Sequence, residues 1–235
     1  YTATSGKEWT RTAICDEALR LGRMLVQLLP GESEVHALLA LMELQASRAA
    51  AGGGRNREAV LLSDQDRSLW DIAQIQRGVT ALEHARRLGG GAKHYALQAA
   101  IAACHMRARK AEETGWERIV LLYDALMQTA PSPVVALNRA VAVSMAQGPA
   151  AGLDALDAIA TIATPPADSA LAGYHLLHSV RRDLLMKVGN FPEARKEIDR
   201  AIAMTKNLRE QELLTEKLKQ IEKANYIPGS SADGP

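Results

Sequence analysis

The sequence is poor in cysteine, in aromatic residues and in long apolar runs, and its charges nearly balance. Its two cysteines, Cys15 and Cys104, are too few for a disulfide framework or for a four-cysteine zinc site. Aromatic residues make up 4% of the 235 residues, fewer than a β-sandwich or barrel would need. No run of about 18 apolar residues occurs, which argues against a membrane span. Lys and Arg total 28 against 27 Asp and Glu, so binding to nucleic acid through bulk charge is disfavoured.

Strong helix formers fill most of the remaining positions. Hydrophobic residues make up 47% and charged residues 23%, as in soluble globular proteins. The first residues do not form a signal peptide, and we expect a cytoplasmic protein. Gly and Pro residues mark the boundaries of ten predicted helices. The third begins at a cap formed by Asp64 or Ser68 and ends at Leu88. The others are predicted at about 8–29, 32–51, 93–109, 116–129, 133–146, 149–161, 168–188, 191–205 and 207–224.

Repetition within the second half of the chain bears on how these helices pack. Small and bulky residues alternate in a tetratricopeptide-like order at Arg182, Leu185, Gly189, Ala194, Ile198 and Ala201. A weaker copy lies at Ala140, Gly152, Leu156 and Ile159. A plain helical bundle with chance matches is the alternative. We predict an all-α, tetratricopeptide-like helical-repeat fold of about ten antiparallel helices over residues 1–225, followed by a disordered tail at 226–235.

Residue patterns that would carry catalysis are lacking. His175 and His178 are three apart and share a helix face, but no carboxylate or cysteine lies within reach in the sequence. Cys104 and His105 are adjacent, and adjacent helical residues point too far apart to form a dyad. We therefore expect neither an enzyme nor a metal or cofactor site.

Three stretches are candidates for protein binding. The first concentrates charge, amide and indole at a helix start, where it forms either a structural cap or a partner contact, since Arg and Trp anchor interfaces. The second is a helix of small residues that carries two polar residues on one face. The third begins the helix after the Pro-Ser-Pro turn. The candidate residues are Asp64, Gln65, Asp66, Arg67 and Trp70 in the first stretch, Gln98 and His105 in the second, and Asn138 and Arg139 in the third.

Several collinear runs resemble one protein family. These runs include LLSDQDRSLWD at 61–71, YALQAAIAACH at 95–105 and LYDALMQTAPSPVVALNRAVAV at 122–143. They resemble the C-terminal, tetratricopeptide-like extension of bacterial extracytoplasmic-function sigma factors, over nearly the whole chain. The resemblance implies that sigma regions two and four precede this segment in a longer protein.

The resemblance also implies a function. We expect the chain to regulate transcription initiation in cis, through the sigma regions of the same polypeptide or core RNA polymerase, with no direct contact to DNA or membrane. The nine candidate residues would make that contact. The alternative is a free-standing scaffold that binds an unrelated peptide.

Overall fold

The described residues form α-helices, and outside residues 47–71 and 163–174 only short connections lie between consecutive helices. A computed structural model describes residues 12–52, 60, 62, 64–108, 110–162 and 175–204. The described helices are α1 (Thr12–Leu28), α2 (Ser33–Ala46), α3 (Ile72–Arg87), α4 (His94–Arg107), α5 (Trp116–Thr129), α6 (Pro133–Gln147), α7 (Pro149–Ile162), α8 (His175–Lys187) and α9 (Phe191–Met204). Short 3₁₀ turns lie at Ala49–Ala51, Arg67–Leu69 and Ala111–Glu113.

This architecture confirms the all-α prediction for the described residues. Eight of the nine helices begin or end within a few residues of their predicted positions, and the third is discussed below. The predicted helix at 207–224 and the tail at 226–235 lie outside the described residues. Within the described part, no helix is long and apolar enough to cross a membrane.

The start of α3 differs from the prediction. Its N-cap is Asp71, whose Oδ1 accepts a hydrogen bond from the backbone N–H of Gln74 at 2.9 Å. Capping by Asp64 or Ser68 was therefore wrong, because the chain makes a separate 3₁₀ turn before α3 begins. Four residues with good capping chemistry, Asp64, Asp66, Ser68 and Asp71, stand within eight positions, and only the turn decides which of them caps the helix.

The chain divides between Pro131 and Ser132 into two compact units, here called unit 1 and unit 2. In unit 1, α2 packs against α1, α3 and α4, and α4 packs against α5. One buried cluster of unit 1 is dominated by alanine, with two leucines: Ala37, Ala40, Leu44, Leu82, Ala85, Ala96, Ala99, Ala100, Ala102 and Ala103. Larger apolar residues of the unit are buried as well: Leu19, Trp70, Leu97, Ile101, Ile119, Val120 and Leu126.

A glycine lets two helices of unit 1 approach closely. A Cβ atom on Gly78 of α3 would lie 2.7 Å from Leu44 Cγ and 3.1 Å from the Ala40 carbonyl oxygen, both on α2. A side chain at this position would push the two helices apart, because such separations lie inside van der Waals contact.

Unit 2 contains α6, α7, α8 and α9, and it packs the residues of the predicted repeat. One core cluster holds Leu137, Ala140, Leu156 and Leu184, and a second holds Leu185, Ala194, Ile198 and Ala201. A Cβ on Gly152 would lie 2.4 Å from Ser144 Cβ, so α6 and α7 also meet at a small residue. The prediction of one domain over 1–225 concerns the joint packing of both units and stays a prediction.

Candidate functional site

Side-chain hydrogen bonds hold the residues just before α3 in turns. We call Asp64–Asp71 the Arg67 segment. Oδ1 of Asp66 accepts hydrogen bonds from the Ser68 backbone N–H at 2.9 Å and from Ser68 Oγ at 2.6 Å. These bonds lower the pKa of Asp66, so its carboxylate remains charged at neutral pH. With Asp71 capping α3, the segment contains two consecutive capped turns.

Arg67 fastens the segment to the end of α4. Its Nη1 donates hydrogen bonds of 2.7 Å to both the His105 and the Ala108 carbonyl oxygens. The last carbonyls of a helix lack partners within the helix and carry partial negative charge, so a guanidinium there is favourable. The Arg67 Cζ also lies 4.8 Å from the centroid of the Trp70 ring, a cation–π distance.

Trp70 is part of the interior of unit 1. Its side chain is 5% exposed, and its indole Nε1 is buried without a hydrogen-bond partner among the described residues. The next residue, Asp71, donates its backbone N–H to the Ser47 carbonyl oxygen at 2.8 Å, just past the end of α2. The segment is thus tied to the ends of both α2 and α4. A role for Trp70 in binding a partner stays a prediction.

The beginning of the Arg67 segment is hydrogen-bonded to a residue that precedes it. Gln65 Nε2 donates to the Val60 carbonyl oxygen at 3.2 Å, while its Oε1 is buried and unpartnered within the described residues. Asp64 is exposed. The amide of Gln65 therefore serves local structure in the folded chain.

His105 lies beneath the segment, close to two arginines. Its ring meets Trp116 edge-on, with centroids 5.2 Å apart. Burial, assisted by the positive charges of Arg48 and Arg67, lowers the pKa of His105 to about 4. Burial also lowers the pKa of Arg48, whose Nη2 donates to Gln45 Oε1. His105 is accordingly neutral at physiological pH.

The remaining candidate residues are not gathered at this place. Gln98 Nε2 donates to His94 Nε2 at 2.8 Å in the first turns of α4, whereas His105 lies near its last turn, about 10 Å further along the axis. Asn138 is exposed and Arg139 half-buried on α6, which belongs to unit 2. The structure thus brings together Arg67, Trp70 and His105, and their protein-binding role stays a prediction.

Unit 1 contains an ion-pair cluster that the sequence did not reveal. Glu43 of α2 is 2% exposed. Its Oε1 accepts hydrogen bonds from Arg23 Nε and Nη2 on α1, at 3.0 and 2.7 Å, and its Oε2 lies 3.5 Å from Arg77 Nε on α3. The one sign of this cluster in the sequence is a glutamate within an apolar run, which indicates a buried carboxylate that needs a partner. Its partners are 20 and 34 residues away, so their identity depended on the fold.

A second cluster surrounds Glu197 in unit 2. Its Oε2 accepts a 2.6 Å hydrogen bond from His178 Nδ1, and its Oε1 a 2.7 Å bond from Arg200 Nη1. Arg181 Nε is 3.7 Å away. Burial raises the pKa of Glu197, but the His178 hydrogen bond and the nearby positive charges outweigh it, and the net shift is downward.

The fold gives His178 a partner that the neighbouring sequence does not supply. A carboxylate, that of Glu197 nineteen residues further on, does lie within reach of His178. Nevertheless, the described residues contain no group of three or more His, Cys, Asp or Glu side chains arranged to hold a metal ion.

Comparison with known proteins gives two matches. Residues 1–86 match a family of unknown function (DUF6596), a range that includes α1, α2 and the Arg67 segment. An uncharacterized protein of Rhizobium meliloti (strain 1021) is 45% identical over 213 residues, which is 89% of this chain and 48% of that relative. The chain therefore spans about half the length of this relative. No solved structure matches.

Proposed function

We propose that the chain is a regulatory interaction domain of a bacterial extracytoplasmic-function sigma factor. It acts in the cytoplasm and in cis, on the sigma regions of the same polypeptide or on core RNA polymerase. The collinear resemblance of LLSDQDRSLWD and the later runs to the extension of these factors supports this assignment. The helical-repeat fold supports it as well, since stacked helix pairs present extended surfaces to proteins.

The observation that carries the proposal is how the Arg67 segment uses its polar residues. The Arg67 guanidinium is committed to two carbonyl oxygens of α4, and the Asp66 and Asp71 carboxylates cap the turns that follow them. These groups hold a surface in a fixed shape and do not converge on a reacting atom. Rigid presentation of this kind is what a binding site requires of its supporting residues.

Action in cis agrees with the length of the relative. More than half of that Rhizobium protein lies outside the aligned part. In a sigma factor, the promoter-reading and polymerase-binding regions would occupy such a part. The near-neutral net charge of this chain, +1, is then suited to a domain that binds protein rather than DNA.

The experiment that tests the proposal is transcription in vitro from a cognate promoter. The longer protein, with sigma regions ahead of this chain, is compared with the same protein cut just before Tyr1. Loss of transcription on cutting identifies a required positive element, and a gain identifies a built-in inhibitor. Unchanged transcription would refute regulation in cis and favour the free-standing peptide-binding scaffold.

Charge reversal localises the contact. Asp64→Lys with Arg67→Glu should alter transcription in the longer protein, because the segment then loses both its charge pattern and its tie to α4. Glu17→Lys with Arg20→Glu is the matched control, since that exposed pair on α1 exchanges its charges in place. Equal transcription by both double variants would remove the Arg67 segment from the contact.

A further inference from the structure

Two large aliphatic side chains of the Arg67 segment and α3 face solvent. Leu69 is 54% exposed and Ile72 is 71% exposed, although the intervening Trp70 is buried. Ile72 stands three positions after Leu69, so their Cα atoms are at most about 11 Å apart. We call these two residues, together with Asp66 and Asp71, the Leu69 patch.

The geometry of the patch is fixed by the bonds already described. The Leu69 backbone N–H donates to the Asp66 carbonyl oxygen at 3.2 Å, which closes the 3₁₀ turn. Ile72 follows Asp71 directly as the first residue of α3. The two aliphatic side chains are therefore held on capped turns while Trp70 faces inward. Single exposed apolar residues are ordinary, but two of them held close together are a candidate surface for protein binding.

The rim of the patch is acidic. Asp66 and Asp71 are exposed carboxylates beside Leu69 and Ile72 in the chain. The cation of the segment, Arg67, directs its guanidinium to the carbonyl oxygens of α4. Apolar surface bordered by carboxylates is complementary to apolar surface bordered by Lys and Arg.

We propose that the Leu69 patch binds a basic amphipathic helix, whose aliphatic face covers Leu69 and Ile72 and whose flanking lysines or arginines pair with the surrounding carboxylates. In such recognition, residues three and four apart on the peptide helix form its apolar contact face. The inference rests on the proposed function and names the chemistry of the segment that the domain contacts. It also assigns two different roles: Arg67 and Trp70 hold the surface in place, and Leu69 and Ile72 contact the partner.

The first test measures binding of two synthetic helices to the 235-residue chain by fluorescence anisotropy. One is a Leu/Lys amphipathic peptide of roughly 18 residues, or five turns, and the other has the same leucines with Glu in place of Lys. The Leu/Lys peptide should bind roughly tenfold or more tightly than the Leu/Glu peptide. Equal binding of both peptides would overturn the charge complementarity.

Variants place the binding site. Leu69→Ser with Ile72→Ser should weaken binding of the Leu/Lys peptide by roughly tenfold or more, because both contacts lose apolar surface. Leu121→Ser is the matched control, since Leu121 is 67% exposed on α5 of the same unit, and binding should not change. Binding by the double variant equal to that of the wild type would refute the patch.

The charges are tested without disturbing the turns. Asn caps helices about as well as Asp, so Asp66→Asn with Asp71→Asn removes both charges and keeps both caps. Affinity for the Leu/Lys peptide should fall, and its decrease with added salt should become shallower. An unchanged salt dependence would contradict the role of the acidic rim.

Two further outcomes separate this inference from its alternatives. If sedimentation shows that the wild type is a dimer and that the double variant Leu69→Ser, Ile72→Ser is a monomer, the patch is covered by a second copy of the chain. In that case binding of a basic helix is refuted. If that double variant loses the peptide but the longer protein carrying it transcribes normally, the patch is a docking surface and its part in sigma regulation is refuted.

Discussion

Replacing His105 by phenylalanine should make unit 1 less sensitive to acid. In the folded chain the pKa of His105 is lowered from 6.5 to about 4, chiefly by burial and then by Arg48 and Arg67. The unfolded chain therefore takes up a proton at this site at a higher pH than the folded chain does. The stability that the neutral form of His105 contributes is fully present above about pH 6.5 and is lost as the pH falls toward 4. Phenylalanine keeps an aromatic ring against Trp116 but cannot bind a proton.

The size of the effect follows from the two pKa values. A shift from 6.5 to about 4 corresponds to about 3 kcal/mol between the limits of high and low pH. Between pH 7.5 and pH 4.5 the wild type should lose about 2.5 kcal/mol of unfolding free energy through this group. His105→Phe should lack this loss, so its stability relative to the wild type should rise by that amount on acidification.

The assay is urea unfolding followed by tryptophan fluorescence at both pH values. The three tryptophans, Trp9, Trp70 and Trp116, all belong to unit 1, so the signal reports unfolding of that unit. His105→Gln is the control, since it packs differently but is equally unable to titrate. Both variants should show the same pH-dependent difference from the wild type. A difference that does not change with pH would refute the assignment of a neutral, buried His105.

Three further predictions concern packing and ion pairs. Glu43→Gln should lower the unfolding free energy of unit 1 by about 1.5 kcal/mol in urea with fluorescence detection, because the hydrogen bonds from the guanidinium groups of Arg23 and Arg77 lose their charged acceptor. Glu17→Gln, in an exposed pair, should change it by less than about 0.5 kcal/mol, and equal effects of the two changes would contradict a stabilising role of the Glu43 cluster. Gly78→Ala should destabilise unit 1 by about 1 to 3 kcal/mol through overpacking, while Gly22→Ala, where a Cβ meets atoms no closer than 3.4 Å, should be neutral or stabilising in the same assay. Because the pKa of Glu197 is lowered on folding, its stabilisation of unit 2 is present above about pH 4.5 and lost as the pH falls through the folded value. Glu197→Gln should thus remove part of the acid sensitivity seen by circular dichroism in thermal unfolding of unit 2, and an unaltered acid profile would contradict this.

The helices were largely predictable because their signals are local. Pro133 at the start of α6 and Gly189 after α8 mark their helix ends by backbone chemistry alone. The alternation of small and bulky residues likewise anticipated the packing of Ala194 and Ile198 in a shared core cluster. Where several residues offered the same chemistry, as at the start of α3, the sequence could not choose among them.

The interactions of the candidate site depended on the fold. Arg67 contacts carbonyl oxygens 38 and 41 residues further along the chain, and backbone acceptors leave no trace in the side-chain pattern. The partners of Glu43 and Glu197 were hidden for the same reason, since each ion pair joins different helices. Conversely, Gln98 and His105 share a periodic relation on α4 but lie too far apart along its axis to act on one small group.

The alanine core of unit 1 has a consequence for how its helices keep their alignment. Alanine side chains are short, so apart from places such as Leu44 against Gly78 they interlock little between neighbouring helices. Directional polar contacts therefore contribute to the alignment of the helices, and Glu43 supplies them between α1, α2 and α3. Arg67 and the Asp71 amide do the same at the C-terminal ends of α4 and α2. Loss of one of these contacts should therefore disturb the helix register of unit 1 as well as its stability.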